Sequence, residues 1–381
     1  MISATKPFPS SMSGENFFVR LNENSKKLLL LFSAKDLAPN KFNFWQLGLE
    51  LPVNLIFLNN GRNEWYQNGI PDWGNSFAET LEMLRAWVDS LGIEEVYAMG
   101  TSMGGYAAIQ YGVPLDARIL TFSLDVKLSS PYSRSTRFMT KSNKPICNDL
   151  REIIPLSRKA IQTYVGEGDP SDIWQASLLR DIPQIEVTSL LGVDHYVPSY
   201  LSRSSRLATL MRQLVTNNHF SKLSNAGQAL EIADFPDLIF SAYKLFREKK
   251  WTECEKTANK ALEIYPYADA ALFLKGMALV KQEQFSKAAI MFSLASSMAP
   301  HNADYVFYCS HALRKDNAPL QALFMLDQML TKWPGHDRAH YARGIILSSN
   351  GDSGAALRSF QTALRLAPQN KSYIARVKKQ Q

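Results

Sequence analysis

Four prolines near the C-terminal end of the chain follow one another at intervals of 34 residues: Pro266, Pro300, Pro334 and Pro368. If proline takes the thirty-second place of a repeat, the first repeat begins at Phe235. Small or apolar residues recur at the eighth, twentieth, twenty-fourth and twenty-seventh places. These are Ala242, Gly276, Ser310, Gly344; Cys254, Ala288, Ala322, Ala356; Ala258, Phe292, Leu326, Phe360; and Ala261, Ala295, Met329, Ala363. Proline ends a helix and small residues let two helices cross closely, so the pattern predicts four stacked helical hairpins.

This pattern resembles the tetratricopeptide repeat (TPR), which has the same period. The resemblance implies an all-α TPR solenoid over 235–381, with four repeats and a capping helix at 370–379 that turns Tyr373, Ile374 and Val377 towards the last repeat. It also implies a protein partner bound on the concave face. The net charge of +7 lies entirely beyond residue 220, because residues 1–220 carry equal numbers of acidic and basic side chains. A basic solenoid suggests an acidic partner.

The first 220 residues alternate between apolar runs and helical patterns. Apolar runs bounded by turn residues lie at 17–21, 27–32, 53–58, 95–99, 119–124, 160–165 and 184–190, and helical patterns at 76–91, 103–111 and 198–214. Alternating strands and helices predict an α/β domain with a mostly parallel sheet. We therefore expect this domain at 1–220, a linker at 221–234 and the repeats at 235–381.

A Gly-x-Ser-x-Gly motif, Gly100 to Gly104, joins the run at 95–99 to the helical pattern that follows. A serine hydroxyl is a weak nucleophile, and a sharp strand-to-helix turn exposes it to a base and a substrate from different sides. Gly100 and Gly104 remove the side chains that would collide in such a turn. The N–H of Met103, at the positive end of the helix, would then face a developing oxyanion.

A histidine and two candidate acids follow the serine along the chain. Asp169 and Asp172 come after the run at 160–165, and His195 comes after the next run. His195 would accept the proton of Ser102, while a carboxylate would fix the tautomer of His195 and stabilise its imidazolium form. Asp169 is favoured because it is nearer to the strand. Asp172 is the alternative, unless it caps the helix that begins near Ile173.

The order of Ser102, Asp169 and His195 resembles that of the α/β-hydrolase superfamily, over residues 15–216. The resemblance implies a compact α/β-hydrolase domain and an acyl-serine intermediate. The strand at 27–32 is followed by Ser33-Ala34-Lys35 rather than by His-Gly-Gly-Gly, so the second oxyanion donor would be the N–H near Ala34. Residues 125–155 are the one segment expected to cover the site.

Two segments are candidates for substrate binding. Between residues 126 and 148 the chain has no acidic residue and five basic ones, namely Lys127, Arg134, Arg137, Lys141 and Lys144. Apart from Lys127, these could attract an anionic substrate or the phosphates of coenzyme A, or could be solvated surface. The second segment is 59–69. There Arg62, Trp65 and Tyr66 could contact a sugar, or the rings could instead pack a long loop.

These segments also resemble, more loosely, hydrolase-fold proteins of bacterial surface-polysaccharide biosynthesis. The expected function is that of a serine esterase or deacetylase acting on an acyl ester or an acylated glycan. The alternatives are an O-acetyltransferase using acetyl-CoA as donor and a TPR scaffold with an inactive hydrolase domain. We expect no cofactor, metal, nucleic acid or transmembrane segment. The three scattered cysteines suggest a cytoplasmic protein.

Overall fold

The computed structural model describes residues 11–139 and 147–380. Within this part of the chain, contacts divide the molecule into two compact units with a boundary between Pro236 and Asp237. The first unit contains a mixed sheet of eight strands. They are β1 (Ser11–Ser13), β2 (Phe17–Arg20), β3 (Lys27–Phe32), β4 (Asn54–Leu58), β5 (Glu95–Thr101), β6 (Arg118–Phe122), β7 (Ile161–Gly166) and β8 (Ile185–Leu190).

The strand order is β1-β2-β4-β3-β5-β6-β7-β8. Strands β3 to β8 all run parallel to one another, while β2 pairs antiparallel with both β1 and β4. All seven apolar runs coincide with strands to within two residues. Strand β1 was missed because its residues, Ser11, Met12 and Ser13, are exposed and carry no apolar pattern.

In the described part of this unit, seven α-helices accompany the sheet: α1 (Trp45–Leu49), α2 (Phe77–Ser90), α3 (Met103–Gly112), α4 (Arg134–Phe138), α5 (Pro170–Ser177), α6 (Val197–Ser202) and α7 (Arg206–Val215). The helical pattern at 198–214 is thus two helices, because the chain turns at Ser205, which has a φ of 56°.

Alternate side chains of the central strands enter two separate cores. Leu28, Leu30 and Phe32 pack with residues of α2 and α3, while Leu29 and Leu31 pack with residues of α7 on the opposite face. Helices cover both faces of the parallel strands, which explains why these strands read as continuous apolar runs.

The expected linker at 221–234 packs on the sheet instead. Asn225 accepts a hydrogen bond from the backbone of Leu191, and the N–H of Gly227 donates to Ser189. The buried carboxylate of Glu167 accepts from the N–H of Ala229 at 2.9 Å. The first unit therefore extends to Pro236, because this segment supplies backbone and side-chain partners for the end of the sheet.

The second unit is a TPR-like helical solenoid. Its helices are α8 (Phe235–Arg247), α9 (Trp251–Ile264), α10 (Asp269–Lys281), α11 (Phe285–Met298), α12 (Ala303–Lys315), α13 (Pro319–Lys332), α14 (Asp337–Ser349), α15 (Ser353–Leu366) and α16 (Lys371–Gln380). The first helices of the four hairpins begin at the spacing that the prolines define. Each of the four prolines lies two residues beyond the end of a second helix. In α16, Tyr373 and Val377 are buried and Ile374 is half-buried.

Candidate active site

Ser102 stands on a sharp turn between β5, which ends at Thr101, and α3, which begins at Met103. Its φ of 54° and ψ of −122° lie in a region that side chains rarely adopt. Such a conformation costs on the order of 1–3 kcal/mol and persists only where the surrounding fold enforces it. The N–H of Ser102 donates to the carbonyl of Phe122 at 2.8 Å, which fixes the turn to the neighbouring strand β6.

The two glycines of the motif are required by close backbone contacts. A Cβ on Gly100 would collide with the carbonyl of Gly104, and a Cβ on Gly104 would collide with the carbonyl of Phe32 at the end of β3. The motif thus places Ser102 between the ends of β3 and β6. The N–H groups of the first turn of α3 have no partner within the helix, so the N–H of Met103 has the position expected of an oxyanion donor.

His195 lies in the loop after β8, and its Nε2 is 3.1 Å from the Oγ of Ser102. Close packing holds this loop to the end of β7. A Cβ on Gly166 would collide with the carbonyls of Val193 and Asp194, and the N–H of Gly168 donates to the carbonyl of Val193 at 2.8 Å. The predicted pairing of Ser102 with His195 is therefore present as a direct hydrogen-bonding contact.

The carboxylate that contacts His195 is Asp172 rather than Asp169. Oδ2 of Asp172 lies 2.7 Å from Nδ1 of His195, and its side chain is buried. Asp169 instead caps α5, its Oδ1 accepting from the N–H groups of Ser171 and Asp172 at 3.0 and 3.1 Å. The preference for Asp169 was thus contrary to the geometry. The two aspartates exchange the expected roles because Asp172, one helical turn further on, points back at the histidine.

Arg134 of α4 occupies the centre of this acidic cluster. Its Nη2 forms an ion pair with Oδ2 of Asp169, and its Nε–H donates to Nδ1 of His195 at 3.0 Å. Its Nε is also 3.8 Å from Oδ1 of Asp172. The sequence suggested Arg134 as a substrate contact, but it gave no sign that the side chain reaches the histidine.

Burial and neighbouring charge shift the acids in opposite directions. Burial raises the pKa of Asp172, and the negative charge of Asp169 raises it further. Burial also opposes ionisation of Asp169, but Arg134 and His195 outweigh this effect and hold the pKa of Asp169 below its usual range. The pKa of Arg134 is raised because the negative charges of Asp169, Asp172 and Asp125 outweigh the effect of its burial. The guanidinium is therefore a fixed positive charge beside His195.

A third buried acid, Asp125, was not identified from the sequence. It follows β6, and its Oδ2 accepts from the N–H of Ser135 at 2.8 Å, which anchors the first turn of α4. Burial raises the pKa of Asp125 to about 6. A carboxylate directly after a buried strand was the available signal, because strand ends in such sheets line the site.

Ala34 does not fit the role of second oxyanion donor. Its N–H donates to Oδ1 of Asn43 at 2.7 Å, so this donor already has a partner. The N–H of Asn43 in turn donates to the hydroxyl of Ser33 at 3.3 Å, which ties the two segments together. The sequence could not reveal this, because the acceptor comes from a side chain nine residues away.

Trp65 and Tyr66 are core residues and not a sugar-binding surface. Both are fully buried, and the hydroxyl of Tyr66 donates to the carbonyls of Ser33 and Leu58 at 2.9 and 3.1 Å. The alternative, that aromatic rings pack the loop against the domain, is the one that the structure supports. Arg62 of the same segment is exposed.

Helix α4, which lies within the segment 125–155 expected to cover the site, contacts residues near Ser102 through both of its ends. At its start Arg134 contacts His195, and at its end the ring of Phe138 lies 3.9 Å from Nζ of Lys35. Lys35 follows β3, whose last residue packs against Gly104 of the serine turn. The exposed fraction of Ser102 is 6%.

Arg137, another of the basic candidates, lies in the last turn of α4. Arg137 is exposed, and its guanidinium lies 5.3 Å from the ring centroid of Phe138. Lys141 and Lys144 lie outside the described residues. Lys35, which the sequence did not single out as basic, also lies near this end of α4, where it forms an ion pair with Asp36.

Among the residues that the structure describes, Asp169, Asp172 and His195 place potential metal-ligand atoms within 4.8 Å of one another. Two of these residues already bond to Arg134, His195 through Nδ1 and Asp169 through Oδ2. A guanidinium in the middle of the group repels a cation, so this donor set does not fit a metal ion.

Comparisons with known proteins bear on the second unit. The tetratricopeptide repeat family model matches residues 337–370, the last of the four hairpins. No curated protein matches the chain. Across residues 11–139 and 147–380, none of the helices is both long and apolar enough to cross a bilayer.

Several solved structures align with the helical part. MamA from Desulfovibrio magneticus RS-1 is 17% identical, with 39% of this chain and 85% of that chain aligned and a TM-score of 0.36. YrrB, described as a TPR protein with an unusual peptide-binding site, is 23% identical over 38% of this chain and 74% of its own, with a TM-score of 0.34. The Arabidopsis OM64 TPR domain is 24% identical over 30% of this chain and 94% of its own, with a TM-score of 0.29. These scores are too low to establish a shared fold, so the TPR assignment depends on the family match and the hairpin spacing.

Proposed function

We propose that the first unit is an α/β-hydrolase-type serine esterase with Ser102, His195 and Asp172 as its triad. The observation that carries this proposal is the continuous chain of contacts from Asp172 Oδ2 through the imidazole of His195 to Ser102 Oγ, at 2.7 and 3.1 Å. The positive φ of Ser102 and the collisions that exclude side chains at Gly100 and Gly104 support it. A solvated serine in a glycine-rich turn would need none of these features.

The reaction begins when His195 Nε2 accepts the hydroxyl proton while Ser102 Oγ attacks the ester carbonyl carbon. The oxyanion forms near the N–H of Met103. The C–O bond to the alcohol then breaks, and His195 returns the proton to the leaving alcohol. Water adds to the acyl-serine in the second half, gives its proton to His195 and releases the carboxylic acid, and the proton returns to Ser102. Asp172 stabilises the imidazolium that forms in each half.

The acceptor decides between hydrolysis and transfer. Burial of Trp65 and Tyr66 removes the ring surfaces on which a carbohydrate substrate was predicted, so the proposal specifies an acyl ester and no sugar. Hydrolysis of 4-nitrophenyl acetate by the full chain, lost in Ser102→Ala, tests it. Release of coenzyme A from acetyl-CoA only when a hydroxyl acceptor is added would instead favour the acetyltransferase alternative.

A second function, protein binding by the repeats, is favoured by the family match and the TPR-like hairpins. We propose an acidic peptide segment as the partner. Burial lowers the pKa of His311 in α12, and four nearby cations from the first helices of consecutive hairpins lower it further: Arg314, Lys315, Arg338 and Lys281. Extended segments commonly bind along such solenoid surfaces.

Fluorescence anisotropy with a labelled polyglutamate peptide tests this role. The reversal Arg314→Glu with Lys315→Glu is expected to weaken binding at least about tenfold. The matched control is Lys287→Glu with Arg358→Glu, the same charge change on exposed residues of second helices. Equal loss in both variants would show that only net charge matters, and would contradict a defined site. If Ser102→Ala retained full cellular function, the scaffold would be the principal role.

A further inference from the structure

Nδ1 of His195 has two partners that require different protonation states. Asp172 Oδ2, at 2.7 Å, needs a proton on Nδ1, while the Nε–H of Arg134, at 3.0 Å, needs a lone pair there. A neutral imidazole nitrogen carries one or the other and cannot serve both partners. The site therefore has two alternative arrangements, which differ in the tautomer of His195.

Only one arrangement activates Ser102. With the proton on Nδ1 and directed to Asp172, Nε2 has a lone pair and can accept the hydroxyl proton at 3.1 Å. With Nδ1 accepting from Arg134, the proton is on Nε2, which is then a donor and cannot act as a base. Arg134 consequently opposes catalysis while its Nε–H points at Nδ1.

Arg134 is able to change partners at Nε. About a quarter of its side chain is exposed, and Asp169 holds the guanidinium through Nη2 rather than through Nε. Its helix is anchored through Ser135 and Asp125, so the side chain can turn without movement of the helix. At the far end of α4, the cations of Lys35 and Arg137 both lie near the ring of Phe138, and Lys35 is also paired with Asp36.

We propose that Arg134 is a specificity-determining residue that selects esters with a carboxylate or other oxyanion near the scissile bond. A bound oxyanion competes for the guanidinium, which recognises such groups through two parallel hydrogen bonds. Withdrawal of the Nε–H frees Nδ1 for Asp172 and gives Nε2 the lone pair that it needs. A neutral ester does not displace the guanidinium, so His195 keeps its ring proton mostly on Nε2 and is largely inactive as a base. Because this role rests on the proposed function, its test must be separable from a test of the triad.

The test compares 4-acetoxybenzoate with its neutral analogue 4-acetoxybenzamide, in wild type and Arg134→Met. Wild type is expected to show a kcat/KM at least about tenfold higher for the anionic ester. In Arg134→Met this preference should disappear, and hydrolysis of the ester bond of the neutral 4-acetoxybenzamide should become faster. An equal fall for both esters would show a structural role for Arg134 and would overturn the proposal. So would a preference that survives the substitution.

A tautomer measurement gives a readout that a structural role would not move. In ¹⁵N-labelled protein, assigned with His195→Gln, the His195 ring proton should lie on Nε2 in wild type and on Nδ1 in Arg134→Met. The same tautomer in both would contradict the proposal. If loss of the cation leaves Asp169 unpaired and the variant unfolds, Arg134→Met with Asp169→Asn removes that charge as well. Fluorophosphonate labelling of Ser102 distinguishes failure of this inference from failure of the proposed triad. Labelled protein that shows no preference for the anionic ester would contradict the role of Arg134 alone. Absence of labelling in wild type and all variants would contradict the triad.

Discussion

Oδ2 of Asp172 lies 2.7 Å from Nδ1 of His195, although Asp169 is nearer to the end of the strand that precedes both acids. The two acids are three positions apart, and this spacing gives them different roles. Asp169 is the N-cap of α5 and directs one oxygen into the helix, whereas Asp172 lies in the first turn with its side chain towards the histidine. The cap and the histidine partner are thus supplied by two aspartates one turn apart.

The two acids should respond differently to the same substitution. Asp172→Asn is expected to lower kcat for 4-nitrophenyl acetate about 10³–10⁴-fold, because an amide cannot hold the productive tautomer or stabilise the imidazolium. Asp169→Asn keeps an oxygen that can cap α5 and should cost less than about tenfold. Steady-state kinetics on the two folded variants make the comparison. A larger loss for Asp169→Asn would mean that Asp169 is the acid of the triad.

Helix packing in the solenoid gives a prediction about stability. A Cβ on Gly276 would lie 2.6 Å from Cε1 of Phe292, and Gly344 has the same relationship to Phe360. In the other two hairpins the eighth place has a side chain and the facing residue is smaller, as with Ser310 and Leu326. Gly276→Ala should therefore lower the free energy of unfolding by about 1–3 kcal/mol, measured by urea denaturation.

Two variants control this result. At Gly354 in α15, an added Cβ would lie 3.7 Å from its nearest neighbour. Gly354→Ala should therefore raise the free energy of unfolding by about 0.5–1 kcal/mol, through helix propensity alone. Adding Phe292→Leu to Gly276→Ala should cost less than the sum of the single changes, because the smaller side chain makes room for the new methyl group. Strict additivity would show that the two residues do not limit each other.

Asp125 predicts how the stability of the first unit depends on pH. Its pKa is about 6 in the folded protein, above the value of 3.8 for an unperturbed carboxyl, because the side chain is buried. Between these values the folded state binds more protons than the unfolded state. Its contribution to stability therefore falls as pH rises through this range, by up to about 3 kcal/mol, and is constant above it.

Asp125→Asn preserves an oxygen acceptor for Ser135 and removes the ionisation. Relative to wild type, its free energy of unfolding should increase progressively from about pH 4 to pH 6, as measured by urea denaturation followed through tryptophan fluorescence. Asp181→Asn, at an exposed position, is the matched control and should show no such trend. A constant difference across this range would contradict the assigned ionisation.

The elements that were predicted well are those that local sequence determines. The hairpins begin at the expected places because proline ends each second helix and small residues must recur where helices cross. The parallel strands are visible because both of their faces are buried. The turn at Ser102 was predictable because only glycine fits at positions 100 and 104.

The errors concern contacts between distant segments. No local pattern shows that Asn43 bonds to the N–H of Ala34, that Trp65 and Tyr66 turn into the core, or that Glu167 fixes the segment at 221–234. Arg134 was recognised as a basic residue near the site, but its position between Asp169 and His195 depends on the anchoring of α4 by Asp125. Such relationships follow from tertiary packing, and one-dimensional spacing does not encode them.

The most direct test of the triad is mass spectrometry after treatment with a fluorophosphonate probe, run beside 4-nitrophenyl acetate turnover, for wild type and Ser102→Ala. We expect the probe on Ser102 of the wild type, and loss of both labelling and turnover in a variant that retains its fold. Absence of the probe from folded wild type and folded Arg134→Met alike, or undiminished turnover by Ser102→Ala, would contradict an activated nucleophile at Ser102.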